Sequence, residues 1–389
     1  MYTTKSLTRC KKSRNTLSQL PEGPNSGYLV IEDEDDNTVP TYNNPKPSKK
    51  PPIISLPFPQ NKLLTIDGKD DEYSYRTNIY LIPVVNQPLS SNLYYVIETD
   101  GKHEGKAYAS TKEEDKQICC FCIPCIIDFV PRAFNPRDIY QQFEFSVTKT
   151  PFNTNKLLAA SAAPDGHPPI FLRRYDWEMR SKPAPNFTLK HVSGLNPSLR
   201  AQLPDFNFPI SEQCSKPVVV GTWYCPFMFI KEESEKERVK YSAFYEMTLE
   251  QRWERVFSVE NNGYGDEKNV TVDVVVQTRV GKIGGEIAVG AYGSLDKEVV
   301  WFKSKDKEVG LSKLIMDRII WEEERVGWVR GNQEKELRVV KEEVYEGVKG
   351  WRNFGCYVLV ESFVLKRNNG SIVMTYDFMH AHQLRSKWE

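Results

Sequence analysis

A chain of 389 residues, 40% of them hydrophobic and 12% aromatic, exceeds the size at which one hydrophobic core stops growing and has the side-chain area to order two domains. Lys plus Arg and Asp plus Glu number 52 each, so no net charge draws the chain to nucleic acid or anionic lipid. No apolar run follows the basic start MYTTKSLTRCKKSRN, and none reaches the roughly 18 residues of a membrane span. A cytoplasmic location is expected, with nuclear and membrane-peripheral locations left open.

Residues 1–26 read as a basic N-terminal segment. A first module, 27–185, begins with the strand pattern GYLVI at 27–31. The acidic and then Pro- and Lys-rich stretch 32–52 has almost nothing to bury and is expected to be a disordered loop. TNIYLIPVV from Thr77 and NLYYVIETDGKHEGKAYAS after it are β-favouring runs, with Asp100-Gly101 as the turn signal. Asn135-Pro136 and Asn196-Pro197 each read as an N-cap followed by proline at the first helical position, so a short helix is expected at both. Proline-rich SKPAPN at 181–186 marks the module boundary.

The second module, 186–389, is expected to hold two long hairpins of similar order. GTWYCPFMFIKE leads to KYSAFYEMTLEQRWE, and GCYVLVESFVLKRNNGSIVMTYDFMHAHQLRSKWE has the same layout, with Asn368-Asn369-Gly370 as its turn. Residues 248–259 fit both a helical face and a period of two, and strand is favoured because NVTVDVVVQTRV, which follows, is strongly β-branched. LSKLIMDRIIWEEERVGW, from Leu311, places Leu314, Ile315, Ile319 and Trp321 as a helical apolar face. The fold class that follows is α+β, predominantly antiparallel β, with a few short helices and one longer amphipathic helix near 311–325.

The densest chemistry is ICCFCIPCII, with Cys119, Cys120, Cys122 and Cys125. Four thiols could bind zinc or copper as thiolates, yet four sulfurs within seven residues close a tetrahedron only with strain. Flanking Phe121, Ile123, Ile126 and Ile127 also suit an acylated, membrane-contacting loop, with Cys10 beside Lys11 and Lys12 as a second anchor. Buried thiols acting as small hydrophobes are the simpler reading, and in a reducing compartment the 8 cysteines stay free. The sequons at Asn186, Asn269 and Asn369 are then unmodified.

His380 and His382 lie two apart, so on a strand they share a face, while Asp377 falls on the opposite one. That supplies two metal ligands from the neighbourhood. His103 and His167 read as solvated loop residues. No nucleophile elbow, phosphate loop, dinucleotide fingerprint or HExxH motif occurs, and GKIGGE at 281–286 reads as a turn.

The strings MYTTKSL, PEGPNSGYLVI, LPFPQNK, VVNQPLSSNLYYVI, AQLPDFNFP, GTWYCPFMFIKE, YEMTLEQRWE, GCYVLVESFVLKR and RSKWE run nearly end to end. Together they resemble a plant-specific family of uncharacterised proteins catalogued as domain of unknown function twelve sixty-two. The resemblance implies a plant source and brings no reaction, ligand or catalytic residue. The family pattern has a second cysteine cluster ahead of LPFPQNK, where this chain carries TYNNPKPSKKPPIIS, and a metal shared between two clusters is correspondingly less expected.

The expected function is a non-enzymatic binding or interaction module, meeting a protein partner through an exposed sheet face or edge with aromatic strands as the recognition surface. The alternatives are a peripheral membrane protein acylated at the cysteine cluster and an unrecognised enzyme with a pocket between the halves. Neither a cofactor nor a nucleic acid is implied.

Overall fold

The computed structural model describes residues 1–33, 52–69, 74–118, 124–149, 155–174, 177–232, 234–261, 268–290, 298–328 and 336–389. The chain divides into two units, Met1–Val192 with Cys225–Phe244, and Ser193–Tyr224 with Tyr245–Glu389. The loop expected at 32–52 lies almost wholly outside the described residues.

In the first unit, six antiparallel strands form one sheet in the order Asn155–Ser161, Gln142–Lys149, Leu93–Glu98, Ser74–Pro83, Lys62–Lys69 and Trp177–Pro183. Alternation along these strands sends Leu64, Ile66, Ile79, Leu81, Tyr94, Val96, Phe143, Phe145 and Met179 to one buried cluster. Each such side chain contributes about 1.5–3 kcal/mol by leaving water. Phe58 packs edge-on to Phe145 at 5.2 Å. Buried Gln60 serves three backbone groups: its Oε1 accepts from Val30 N at 2.6 Å, and its Nε2 donates to the carbonyls of Phe58 and Leu81 at 2.8 and 3.0 Å.

The N-terminal segment is structural. Tyr2–Ser6 pairs in parallel with Gly27–Ile31, where a Cβ at Gly27 would run into the Tyr2 ring. Tyr2 is fully buried and its hydroxyl donates to the Pro83 carbonyl at 2.8 Å. The turn at Asp100-Gly101 is wider than a two-residue hairpin, since Gly105 N donates to the Glu98 carbonyl at 2.8 Å and strand pairing resumes as an isolated bridge from Ile97 to Ala107. No helix starts at Pro136. Asn135 instead caps a turn, its Oδ1 accepting from Arg137 N at 3.0 Å, and Asp138 then opens the 3-10 turn Ile139–Gln141.

The second unit is built on three long strands, Phe244–Glu260, Asn353–Lys366 and Ile372–Trp388, paired antiparallel in that order. The segment ambiguous between helix and strand is therefore strand. Arg279–Ile283, Glu286–Gly290, Val299–Ser304 and Lys307–Ser312 extend the sheet beyond Ile372–Trp388. Gly284 and Gly285, both at positive φ (61° and 83°), make the two-residue turn in GKIGGE. Asn269–Gln277 and Glu336–Val344 form a separate antiparallel ribbon, with Val270 and Val272 packed on Trp351, Phe354 and Cys356. Trp223, Trp253, Tyr357, Phe354 and Phe363 are all at most 2% exposed, so the aromatic strands form core and not a surface.

The α+β class is overturned. The protein is mostly β, and its five α-helices among the described residues run from 4 to 12 residues. The longer amphipathic helix expected near 311–325 is only Lys313–Glu324, because Leu311 and Ser312 complete the strand Lys307–Ser312. It is not divided into an apolar and a solvated side either, since Arg318, Glu322 and Glu323 are buried along with Ile315, Met316, Ile319 and Ile320.

Candidate functional site

Strand alternation places Gln251, Glu361 and His380 on the same face of the three long strands. Gln251 pairs with Glu361 in register, and His380 pairs with Leu359, two residues from Glu361. Two helices supply the rest. Asn196 caps Pro197–Gln202, its Oδ1 accepting from Leu199 N at 3.1 Å as Asn-Pro predicts, and this short helix carries Arg200. The last turn of Lys313–Glu324 carries Glu322 and Glu323.

These side chains meet in a buried network, each of Arg200, Gln251, Glu322, Glu323, Glu361 and His380 being at most 5% exposed. Arg200 Nε donates to Oε1 of Glu361 at 2.8 Å, Nη2 donates to Oε2 of Glu361, and Nη2 also donates to Oε1 of Glu323 at 3.3 Å. Nη1 donates to the Glu322 carbonyl at 3.1 Å. Gln251 Nε2 donates to Oε1 of Glu361 at 2.7 Å and to the Arg200 carbonyl at 3.1 Å. Arg318 Nη2 donates to Oε1 of Glu322. Nε2 of His380 lies 3.0 Å from Oε2 of Glu323 and 3.3 Å from Oε2 of Glu361.

Three buried carboxylates thus face the buried guanidinium groups of Arg200 and Arg318 and the half-buried one of Arg325, whose Nη1 donates to Oε2 of Glu322 at 3.4 Å, so each charge of the network has an opposite charge beside it. Burial first, and the Glu361 charge second, push Glu323 up to about 8. Burial opposes the charged imidazole of His380, but the Glu323 and Glu361 carboxylates outweigh it and hold the ring up at about 9. Glu361 is held low despite its burial because Arg200 and His380 surround it.

A pocket of about 320 Å³ opens on this network. Leu195, Pro197, Ala201, Leu203, Val326 and Leu359 give it apolar walls, and Arg200, Gln251, Arg325, Glu361, His380 and Gln383 give it polar groups. Among the described residues, Glu323, Glu361 and His380 each offer a ligand atom within 4.8 Å of the others.

The two histidines part company. Between Val358, opposite Leu384, and Leu359, opposite His380, the register of the last strand shifts by a bulge holding Ala381, His382 and Gln383. His380 is buried and His382 exposed, with their rings edge to face at 5.4 Å. Asp377, on the other face, accepts from Ser362 Oγ at 2.6 Å, Lys282 Nζ at 2.9 Å and Arg252 Nη2 at 3.1 Å.

Of the cysteine cluster, Cys119, Cys120 and Cys122 lie outside the described residues, and Cys125 is half-buried. Cys10 is 1% exposed, packed with Leu7, Val30 and Leu89. His167 meets Glu113, and His191 lies 3.4 Å from Asp33. Arg200, Gln251, Glu323 and Glu361 were not singled out in the sequence. The one signal available was Glu361, a lone charge inside the apolar run GCYVLVESFVL.

No described helix is long and apolar enough to cross a membrane. No curated protein matches the chain. Among solved structures, the crystal structure of Cry35Ab1 is similar at 11% identity and a TM-score of 0.47, over 85% of this chain and 90% of that one. Residues 22–121, about a quarter of the chain, match the model of the family described as Protein of unknown function (DUF1262).

Proposed function

We propose that the protein is a binding module whose ligand is a small, partly apolar molecule held in the pocket of the second unit. One observation carries this reading: apolar walls converge on a few buried polar groups, in a volume of about 320 Å³, which is the make-up of small-molecule sites. The guanidinium of Arg200 is spent on Glu361, Glu323 and the Glu322 carbonyl, so a fully charged anion gains little there. A neutral group that both donates and accepts suits the unpartnered Oε1 of Gln251 and the side chain of Gln383 on the wall.

A fragment library screened by ligand-observed NMR tests this, with Ala201→Trp as the comparison. Ala201 is exposed on its helix and lines the pocket, so a bulky ring there fills the cavity without disturbing the core. Fragments should bind the wild type and be lost from the variant. Fragments that bind both proteins equally, or none at millimolar concentration, would remove the pocket as the site.

A further inference from the structure

We propose that Glu323, Glu361 and His380 form a site for one divalent transition-metal ion, of the zinc or manganese class, at the polar end of this pocket. Although His380 Nε2 lies 3.0 Å from Glu323 Oε2, neither atom makes a hydrogen bond among the described residues. The N–H direction of the ring therefore misses the carboxylate. Two buried donor atoms this close, with no hydrogen bond between them, are free to share an ion.

The spacing agrees with this. Two donors about 2.0–2.2 Å from one ion, at octahedral or tetrahedral angles, are about 3.0–3.5 Å apart, and the two imidazole-to-carboxylate distances here are 3.0 and 3.3 Å. One imidazole with two carboxylates is a donor set that takes zinc, manganese or ferrous iron. Arg200, donating to Glu361 and Glu323, orients both carboxylates as an outer-shell partner does. Glu361 and His380 also line the pocket, which provides a route in and leaves the remaining coordination positions to water.

The test uses the full chain, stripped with chelator and dialysed to equilibrium against Zn²⁺ or Mn²⁺, with the metal counted by elemental analysis. The wild type should hold about one ion per chain, and Glu323→Gln and His380→Gln should each weaken binding by more than about 100-fold, since loss of a mere outer-shell partner costs about 10–100-fold. His382→Ala, which removes the exposed neighbour, should bind as the wild type does. Cobalt-loaded wild type should show d–d bands with no thiolate charge-transfer band, a readout that stands even if a variant fails to fold. No binding by the wild type, binding indifferent to both glutamine replacements, or a thiolate band assigning the ion to cysteine would each overturn the proposal. The two readings fail separately: fragments that bind while no ion does sink the metal site alone, and an ion that binds while no fragment does sinks the pocket reading alone.

Discussion

Glu361 is the residue on which the buried network turns, because it takes two hydrogen bonds from Arg200 and one from Gln251 while sitting 1% exposed. Truncating it leaves the Arg200 guanidinium buried beside a reduced set of acceptors, so Glu361→Ala should lower stability by about 3–5 kcal/mol. Arg200→Ala combined with it should cost clearly less than the two single losses added, because the second change removes the charge that the first left unpaired. Urea unfolding of the three variants decides this, and strict additivity would contradict the network. A second residue carries a pH dependence. Burial holds the Cys225 thiol up at about 11, whereas an unfolded thiol titrates near 8.5. The folded state favours the neutral form, so this contribution is whole below the unfolded value and is lost as pH rises toward 11. The stability gap between wild type and Cys225→Ala should therefore shrink between pH 8 and pH 10.5, by on the order of 2 kcal/mol. A gap that stays constant in urea melts at the two pH values would show that the thiol is not sealed from solvent.

Local turn and cap chemistry was legible at the level of single elements wherever it was self-contained. Asn196-Pro197 opens a helix, Gly284 and Gly285 turn a hairpin, and Gly370 at φ 82° turns the long one, because each depends on backbone preferences a few residues wide. Asn135-Pro136 carries the same cap signal and opens no α-helix, since the following strand Gln142–Lys149 takes up the chain within seven residues. Long-range partners were not legible. The charges of LSKLIMDRIIWEEE look like a solvated face, and burial of Arg318, Glu322 and Glu323 depends on Arg200 arriving from residues more than a hundred positions earlier. The pairing of His380 with His382 by parity fails for a related reason: a bulge at Ala381 to Gln383 is set by register against Asn353–Lys366, and no local signal announces it. Glu361 was the exception, a charge with nowhere to go in an apolar strand except to a partner.

The matched domain and the folding unit have different extents across the whole molecule. Residues 22–121 contain three strands of the six-stranded sheet, Lys62–Lys69, Ser74–Pro83 and Leu93–Glu98, and omit Gln142–Lys149, Asn155–Ser161 and Trp177–Pro183. The missing strands carry Phe143, Phe145, Leu157, Trp177 and Met179 of the shared core cluster. Without them, Leu64, Ile66, Tyr94 and Val96 lose the partners that cover them, and both outer strands of the remaining piece expose unpaired backbone. The lost burial, at about 1.5–3 kcal/mol for each large side chain, exceeds the total stability of an ordinary domain. A fragment of residues 22–121 should therefore give the circular dichroism of an unfolded or aggregated chain and narrow amide dispersion by NMR, while residues 1–244, which add the missing strands and Cys225–Phe244, should unfold cooperatively. Phe244 is the test of that second boundary, since its ring packs on Phe187 at 5.0 Å and on Tyr80 at 6.4 Å. A fragment ending at Val192 should melt at a lower temperature than residues 1–244, and equal melting of the two would show that the returning segment does not belong to the cooperative core of the first unit.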